Sequence, residues 1–388
     1  DMAWAMIKLG RKQRHRQLEL FGSNNMALRF NVPDQVQQEL MHIDQELAGR
    51  FVSDDESPLT AHQKERFIIS ALREEAIASS MLEGAATTRR DAKNMLKTGR
   101  KPRTRGEKMV LNNYRAIQFV RDNRIIDLTP AFLLELQTIL TEGTLDNPDD
   151  VGRFRTEKDN ISVIDHRDNE VIHVPPHASE LNRRIELLCK FANEERPGGN
   201  FVHPVIQACM IHFQLGFDHP FCDGNGRTAR ALFYWLMLKR GYWLFEYIPI
   251  SRMIYQGPSK YARAFLYCET DEFDVTYFIL YKAKIIQRAR RELHAYIQNK
   301  QRQVSQARKL FSADKRLNHR QQEIVLQAAR NPDVVFTIAD HQSRHAIAYG
   351  TARSDLLRLV DWRYLTQDTV GNRYDFRPAA KLSENKQG

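Results

Sequence analysis

"HPFCDGNGRTAR", residues 219–230, gathers one imidazole, one carboxylate and two guanidinium groups around a turn containing two glycines. Upstream, residues 203–217 read as an apolar helix ending near Gly216, and a second helix begins near Gly226. Gly224, Asn225 and Gly226 therefore form a junction that admits the positive φ angles a β-carbon disfavours. Successive main-chain N–H groups there point into one concavity at the positive end of a helix, which makes an anion nest. Arg227 and Arg230 are three residues apart, so they share a helix face near that mouth. Guanidinium groups fork phosphate oxygens, and the whole reads as a polyphosphate cradle. Asp223 is badly placed beside a nest for anions unless a cation intervenes. Mg²⁺, which takes one or two carboxylates together with phosphate oxygens, fits. His219 is the one group in the loop that titrates near neutral pH, and general-base catalysis of this kind contributes about 10²–10⁴-fold. Phe221 should point inward and pin the loop, and Cys222 is read as filler. The pattern GxxxxGK[ST] is absent, so this is not a P-loop.

Eight fixed positions of the stretch match the signature HxFx(D/E)GNGRxxR, a coincidence expected on the order of 10⁻⁸ times in such a chain. On these residues the sequence resembles the Fic (filamentation induced by cAMP) family over residues 60–310. Members of that family mostly transfer AMP from ATP to Ser, Thr or Tyr of target proteins. The resemblance implies that His219 deprotonates the target hydroxyl as it attacks the α-phosphate, and that Asp223 holds Mg²⁺. It implies that Gly224, Asn225 and Gly226 cradle phosphate oxygens, with Arg227 and Arg230 neutralising the leaving pyrophosphate. "VGRFR" (151–155) resembles the family's Gly-x-x-Arg approach to a flap, and the hairpin at 161–174 resembles the flap itself, which aligns a target by strand addition.

Many family members also carry an inhibitory helix of pattern [ST]xxxE[GN], whose carboxylate pairs with the second motif arginine where the γ-phosphate would sit. The chain shows that pattern twice, at Ser79, Glu83 and Gly84 and at Thr138, Glu142 and Gly143. The first is assigned as inhibitory because it ends a helix upstream of the core. The second sits inside the core, where Glu142 and Gly143 have an ordinary helix-ending explanation. In some relatives the inhibitory glutamate also supports removal of AMP, and this direction stays open here.

The expected fold class is mainly α: a Fic-type helical core with a β-hairpin flap, plus a small C-terminal winged-helix (α+β) domain. The expected domains are 1–105, a helical region with the inhibitory helix near 70–84; 106–311, the catalytic core ending in a long basic helix; and 312–388, a winged helix-turn-helix. Helices are expected at 60–83 from an N-cap at Thr60, then at 107–122, 130–142, 177–195, 203–217, 226–240 and 273–311. The hairpin within 152–176, turning at "DHRDN", is the one β signal expected in the first 300 residues.

The chain has 388 residues and a net charge of +10. Residues 282–311 hold nine Lys/Arg against Glu292 alone, so most of the excess lies on one helical segment, for which a solvated face is the plainer reading. The last module, 312–388, carries twelve Lys/Arg against nine Asp/Glu. On its helix near 349–361, Ala352, Leu356, Leu359 and Val360 mark a buried stripe. Thr351, Arg353, Ser354 and Arg358 are left outward, with Asp355 expected among them, as on a recognition helix aimed at DNA. Modest charge leaves partner docking open as the alternative.

Cys189, Cys209, Cys222 and Cys268 are scattered without metal-type spacing and read as free thiols of a cytoplasmic protein. No run approaches the roughly 18 apolar residues of a membrane span, and charges that follow the short N-terminal apolar patch are in the wrong order for a secretory signal. The leading expectation is an autoinhibited, Mg²⁺–ATP-dependent protein adenylyltransferase. Its substrate is a protein hydroxyl, its own included, and relatives suggest a homodimer. A nucleotide-sensing DNA-binding transcriptional regulator is the alternative. Relatives that use other donors leave the base unassigned.

Overall fold

The computed structural model describes residues 2–47, 61–164, 170–195, 199–312, 316–330, 333–345, 347–370 and 373–379. In chain order these form α1 (Met2–Lys12), β1 (Arg16–Phe21), β2 (Ala27–Phe30), α2 (Asp34–Leu47), α3 (Ala61–Leu82), α4 (Arg89–Thr98), α5 (Arg105–Asp122) and α6 (Pro130–Thr141). A short hairpin of β3 (Val163–Ile164) and β4 (Val171–His173) follows. Next come α7 (Leu181–Asn193), α8 (Pro204–Asp218), α9 (Asn225–Lys239), α10 (Ile250–Tyr255), α11 (Pro258–Thr270) and α12 (Thr276–Ser312). The chain then runs through α13 (His319–Arg330), α14 (Ile338–His345), α15 (Tyr349–Asp361), β5 (Leu365–Val370) and β6 (Arg373–Pro378). The protein is mainly helical. Among the described residues there are three sheets, each a two-stranded antiparallel hairpin, and no helix is long and apolar enough to cross a membrane. Thr60 and residues 165–169, given above as a cap and a turn, lie outside the described residues.

Packing groups the chain into two compact units, one holding residues 2–47 and 64–291, the other residues 61–63 together with those from 292 onward, the second cut falling inside α12. In the first unit, α8 and α9 form the centre. Both are apolar almost all round, which is the pattern of a helix buried on every side. Phe213, Phe217, Phe233 and Trp235 are fully buried. α8 starts at Pro204, whose missing N–H costs nothing at a first helical position, and the His203 ring accepts from Val205 N. α5 and α6 pack on α9. Each opens on a threonine cap, Thr104 and Thr129, that accepts a main-chain N–H three residues on.

Three expectations need correction. The region 1–105 is not purely helical: β1 and β2 make a hairpin there. Leu18 and Leu20 point into the core while Gln17 and Glu19 face out, the two-residue alternation of a half-buried strand. Asn24 and Asn25, both at φ 54°, turn the chain between them. Second, the basic segment is not one solvated face. Lys282 is buried with its ammonium 3.9 Å from the centre of the Phe233 ring, and Arg290 pairs with Glu39 and Glu46. Third, Asp355 is not among the outward residues of its helix. It is buried and accepts from Arg320 Nε at 2.7 Å and Asn318 Nδ2 at 2.9 Å, with His341 Nε2 at 3.2 Å. Thr351, Arg353, Ser354 and Arg358 are exposed, and Ala352, Leu356 and Leu359 are buried. The sequence reading also passed over α4, α10 and α11.

The second unit holds its own core, in which Val325, Leu356, Leu359 and Phe376 are fully buried. In it three helices are followed by an antiparallel two-stranded hairpin.

Candidate active site

α8 ends when His219 takes a left-handed conformation, φ 44°, unusual for a residue with a β-carbon. Its ring Nδ1 lies 2.7 Å from the Gly216 carbonyl, an acceptor that fixes the proton on Nδ1 and leaves Nε2 with its lone pair. Burial holds the imidazole below its ordinary pKa, although the Gly216 carbonyl and Glu83 pull the other way. The ring is thus a neutral base at neutral pH.

The loop after His219 is pinned from several sides. Arg155, the arginine of the "VGRFR" stretch, donates from Nε to His219 O at 2.7 Å, and from Nη2 to Pro176 O at 2.6 Å and Asp218 O at 3.1 Å. Phe221 is buried and stacks on Phe154 with ring centres 5.4 Å apart. The Asn225 amide closes the turn: its Oδ1 accepts from Phe221 N at 2.9 Å and its Nδ2 donates to Phe221 O at 2.8 Å. Only the main-chain N–H of Asn225 is therefore left for the cradle. Gly224, at φ 88°, caps the start of α9.

Arg227 is fully buried, donating to Leu140 O at 2.9 Å and to Asp223 Oδ2 at 3.1 Å. It braces the loop from behind. Asp223 also accepts from Gly224 N at 2.6 Å, and its side chain is 40% exposed, which keeps oxygen lone pairs open to solvent. A single open carboxylate beside an anion nest suits Mg²⁺, which keeps several waters and takes its remaining ligands from phosphate.

Arg230 faces α3. It donates from Nε to Ser79 Oγ at 2.9 Å, and from Nη2 to Ser79 O at 2.8 Å and Glu83 Oε1 at 2.9 Å. Glu83 Oε1 also lies over Gly226, so close that a β-carbon on that residue would collide with it. The carboxylate thus sits at the N-terminus of α9, where unpaired N–H groups and the helix dipole favour an anion. Burial resists ionisation of Glu83, but Arg230 and then Arg227 outweigh it and hold its pKa below the ordinary carboxylate value. Glu142, in the second copy of the pattern, is exposed and faces Arg115 at 3.3 Å.

Two residues close to these were not singled out from the sequence. His173 on β4 faces Glu269 at 2.9 Å and Phe217 O at 2.7 Å, its ring centre 6.4 Å from that of His219. Glu75, one helical repeat before Ser79, is buried. The spacing of Glu75, Ser79 and Glu83 at four-residue intervals is the signal that would have found it.

Residues 127–237 match the Fic/DOC family. A protein adenylyltransferase Fic of Drosophila grimshawi is 40% identical over 70 residues, 18% of this chain and 14% of that protein. Its namesake of Drosophila yakuba is 33% identical over 117 residues, 30% of this chain and 21% of that protein. The matched stretches therefore span about a fifth or less of those relatives. Among solved structures, a Fic family protein from Desulfovibrio desulfuricans superposes with a TM-score of 0.58 at 19% identity, covering 90% of this chain and 97% of that one. A Fic domain containing signaling protein from Bacteroides thetaiotaomicron gives a TM-score of 0.52 at 21% identity, covering 66% and 94%.

Proposed function

We propose, from the premise that this chain carries a Fic domain, that it is a protein adenylyltransferase restrained by Glu83. The observation that supports the reading most is the seat of that carboxylate: an anion already lies at the α9 N-terminus, against Arg230, beside a neutral imidazole. A site that stabilises a carboxylate there stabilises a phosphate in its absence. His219 Nε2 takes the proton of an acceptor hydroxyl as that oxygen bonds to the α-phosphorus of ATP, and the bond to the β-phosphate oxygen breaks. Pyrophosphate leaves toward the α9 N–H groups and Arg230, and Arg155 and Asn225 keep the His219 turn in register throughout. Asp223 would hold Mg²⁺, which when bound supplies charge neutralisation of the phosphates. The flap edge at β3–β4 takes the target segment.

The test is mass spectrometry of the Glu83→Gly chain after incubation with ATP and Mg²⁺, alone and with cell lysate. The expected result is an AMP adduct on Ser, Thr or Tyr. Absence of any adduct, on the chain or on lysate proteins, removes this reading.

A second reading concerns the winged helix. With Asp355 turned inward, the outward face of α15 offers Thr351, Arg353, Ser354 and Arg358 without that carboxylate, which favours a DNA phosphate backbone as its partner. The full chain should retard a generic 20-base-pair duplex at low salt. The Arg353→Ala, Arg358→Ala double variant should bind about tenfold more weakly, with the salt slope reduced by about 2. No retardation at low salt excludes this reading.

A further inference from the structure

Glu75 and Ser79 lie one turn apart on the same face of α3, and Glu83 follows one residue past its end. Ser79 and Glu83 engage Arg230, while Glu75, about 6 Å before Ser79 along the helix axis, engages different elements. Its Oε2 accepts from Ser251 N on α10 at 2.7 Å, and its Oε1 accepts from the Ser251 hydroxyl. The Tyr234 hydroxyl on α9 lies 2.8 Å from the same Oε2. That hydroxyl also receives Ile250 N at 2.7 Å and lies 2.7 Å from Ile248 O. A phenol has one proton, and it cannot serve both the Ile248 carbonyl and Glu75. The contacts are all satisfied when Tyr234 donates to Ile248 and a protonated Glu75 donates to Tyr234. Burial, which raises the Glu75 pKa against the opposing pull of Ser251 and Tyr234, agrees with that proton.

A neutral carboxyl buried to 2% exposure, with each oxygen engaged, makes a directional clamp. A slip of one residue along α3 rotates the helix by about 100° and breaks every one of these contacts. The same slip carries Glu83 off Arg230. Nothing in the transfer chemistry uses Glu75, Tyr234 or Ser251.

We infer that Glu75 is the positioning residue of the brake: by clamping α3 to Ser251 and Tyr234 it holds Glu83 on Arg230, and loosening this clamp admits the triphosphate. The inference rests on the reading that Glu83 restrains transfer.

The intact chain tests it, with labelled ATP, Mg²⁺ and the AMP bound to protein as readout, on the chain itself and on added lysate. Glu75→Ala and the milder Ser251→Ala should each raise transfer by roughly tenfold, the weight of hydrogen bonds to a buried group. In a Glu83→Gly background the same substitutions should add less than about twofold, because no brake is left to position. Ser251→Ala removes a single hydroxyl and serves should Glu75→Ala fold poorly. The clamp is overturned if Ser251→Ala and Glu75→Ala leave transfer at the wild-type rate while Glu83→Gly raises it. It is equally overturned if they change both backgrounds by the same factor, as general loosening would. A Glu83→Gly chain no faster than wild type overturns the brake and the clamp together.

Discussion

Glu83→Gly is expected to raise AMP transfer by on the order of 10²-fold, and Glu142→Gly should leave it within about twofold. The asymmetry follows from where the two carboxylates lie. Glu83 Oε1 is 2.9 Å from a buried Arg230 nitrogen and occupies the N-terminus of α9, whereas Glu142 is exposed and meets Arg115 at 3.3 Å. An exposed pair contributes up to about 1 kcal/mol, and removing it should change little. A buried pair is different, since breaking one commonly costs about 3–5 kcal/mol because the remaining charge is stranded. On the proposed reading Arg230 is not stranded when Glu83 is removed, because a phosphate of ATP would take the vacated place and the energy that held the carboxylate would become available to the nucleotide. Glu83→Gln keeps the shape and removes the charge, so its rate should fall between the two. The Glu83 pKa lies below the ordinary value. Stability from such a group is present above the unfolded pKa and is lost only as pH falls through the lower, folded one. The pair therefore persists through the neutral range, and its release comes from movement of α3 rather than from titration. Labelled AMP bound to protein measures all three variants. Equal activation by Glu83→Gly and Glu142→Gly would remove the distinction drawn here.

How far the sequence discloses this site can be judged residue by residue. The 219–230 turn is legible because glycine, proline and a signature of eight positions constrain the backbone locally. The pairing of Ser79 and Glu83 with Arg230 is legible only through a resemblance, since 147 residues separate Glu83 from Arg230 and no local rule spans that distance. What stays hidden is side-chain direction. Asn225 spends its amide on Phe221, Arg227 turns inward to Leu140, and Asp355 and Lys282 turn into the protein. Helical periodicity assigns a residue to a face, but which face is covered depends on elements packed from elsewhere in the chain. Glu75 illustrates the point: read alone, a glutamate in a helix signals solvent, and only Ser251 and Tyr234 make its burial affordable. The β1–β2 hairpin fails for another reason. Its six-residue first strand carries a clear alternation, but it sits between helical segments and is too short to outweigh them.

His219→Ala should lower transfer in the Glu83→Gly background by about 10³-fold while ATP affinity stays within about threefold. The separation follows from the construction of the loop. On the proposed reading the nucleotide-facing groups are main-chain N–H groups of α9 and Arg230. They are positioned by Gly224, by the Asn225 amide on Phe221 and by the contacts of Arg155 with main-chain carbonyls. None of those contacts uses the imidazole. Alanine at position 219 keeps the carbonyl that Arg155 Nε reaches, and the strain of a left-handed residue with a β-carbon is already present in the parent chain. The imidazole supplies only a lone pair on Nε2, and its depressed pKa keeps that lone pair free at neutral pH. Protonation removes it, so transfer should fall with acidification through a midpoint below the usual histidine value of about 6.5. Calorimetry with ATP and Mg²⁺ reads the affinity and labelled AMP reads the rate. A variant that loses both together would show that His219 holds the loop rather than the proton.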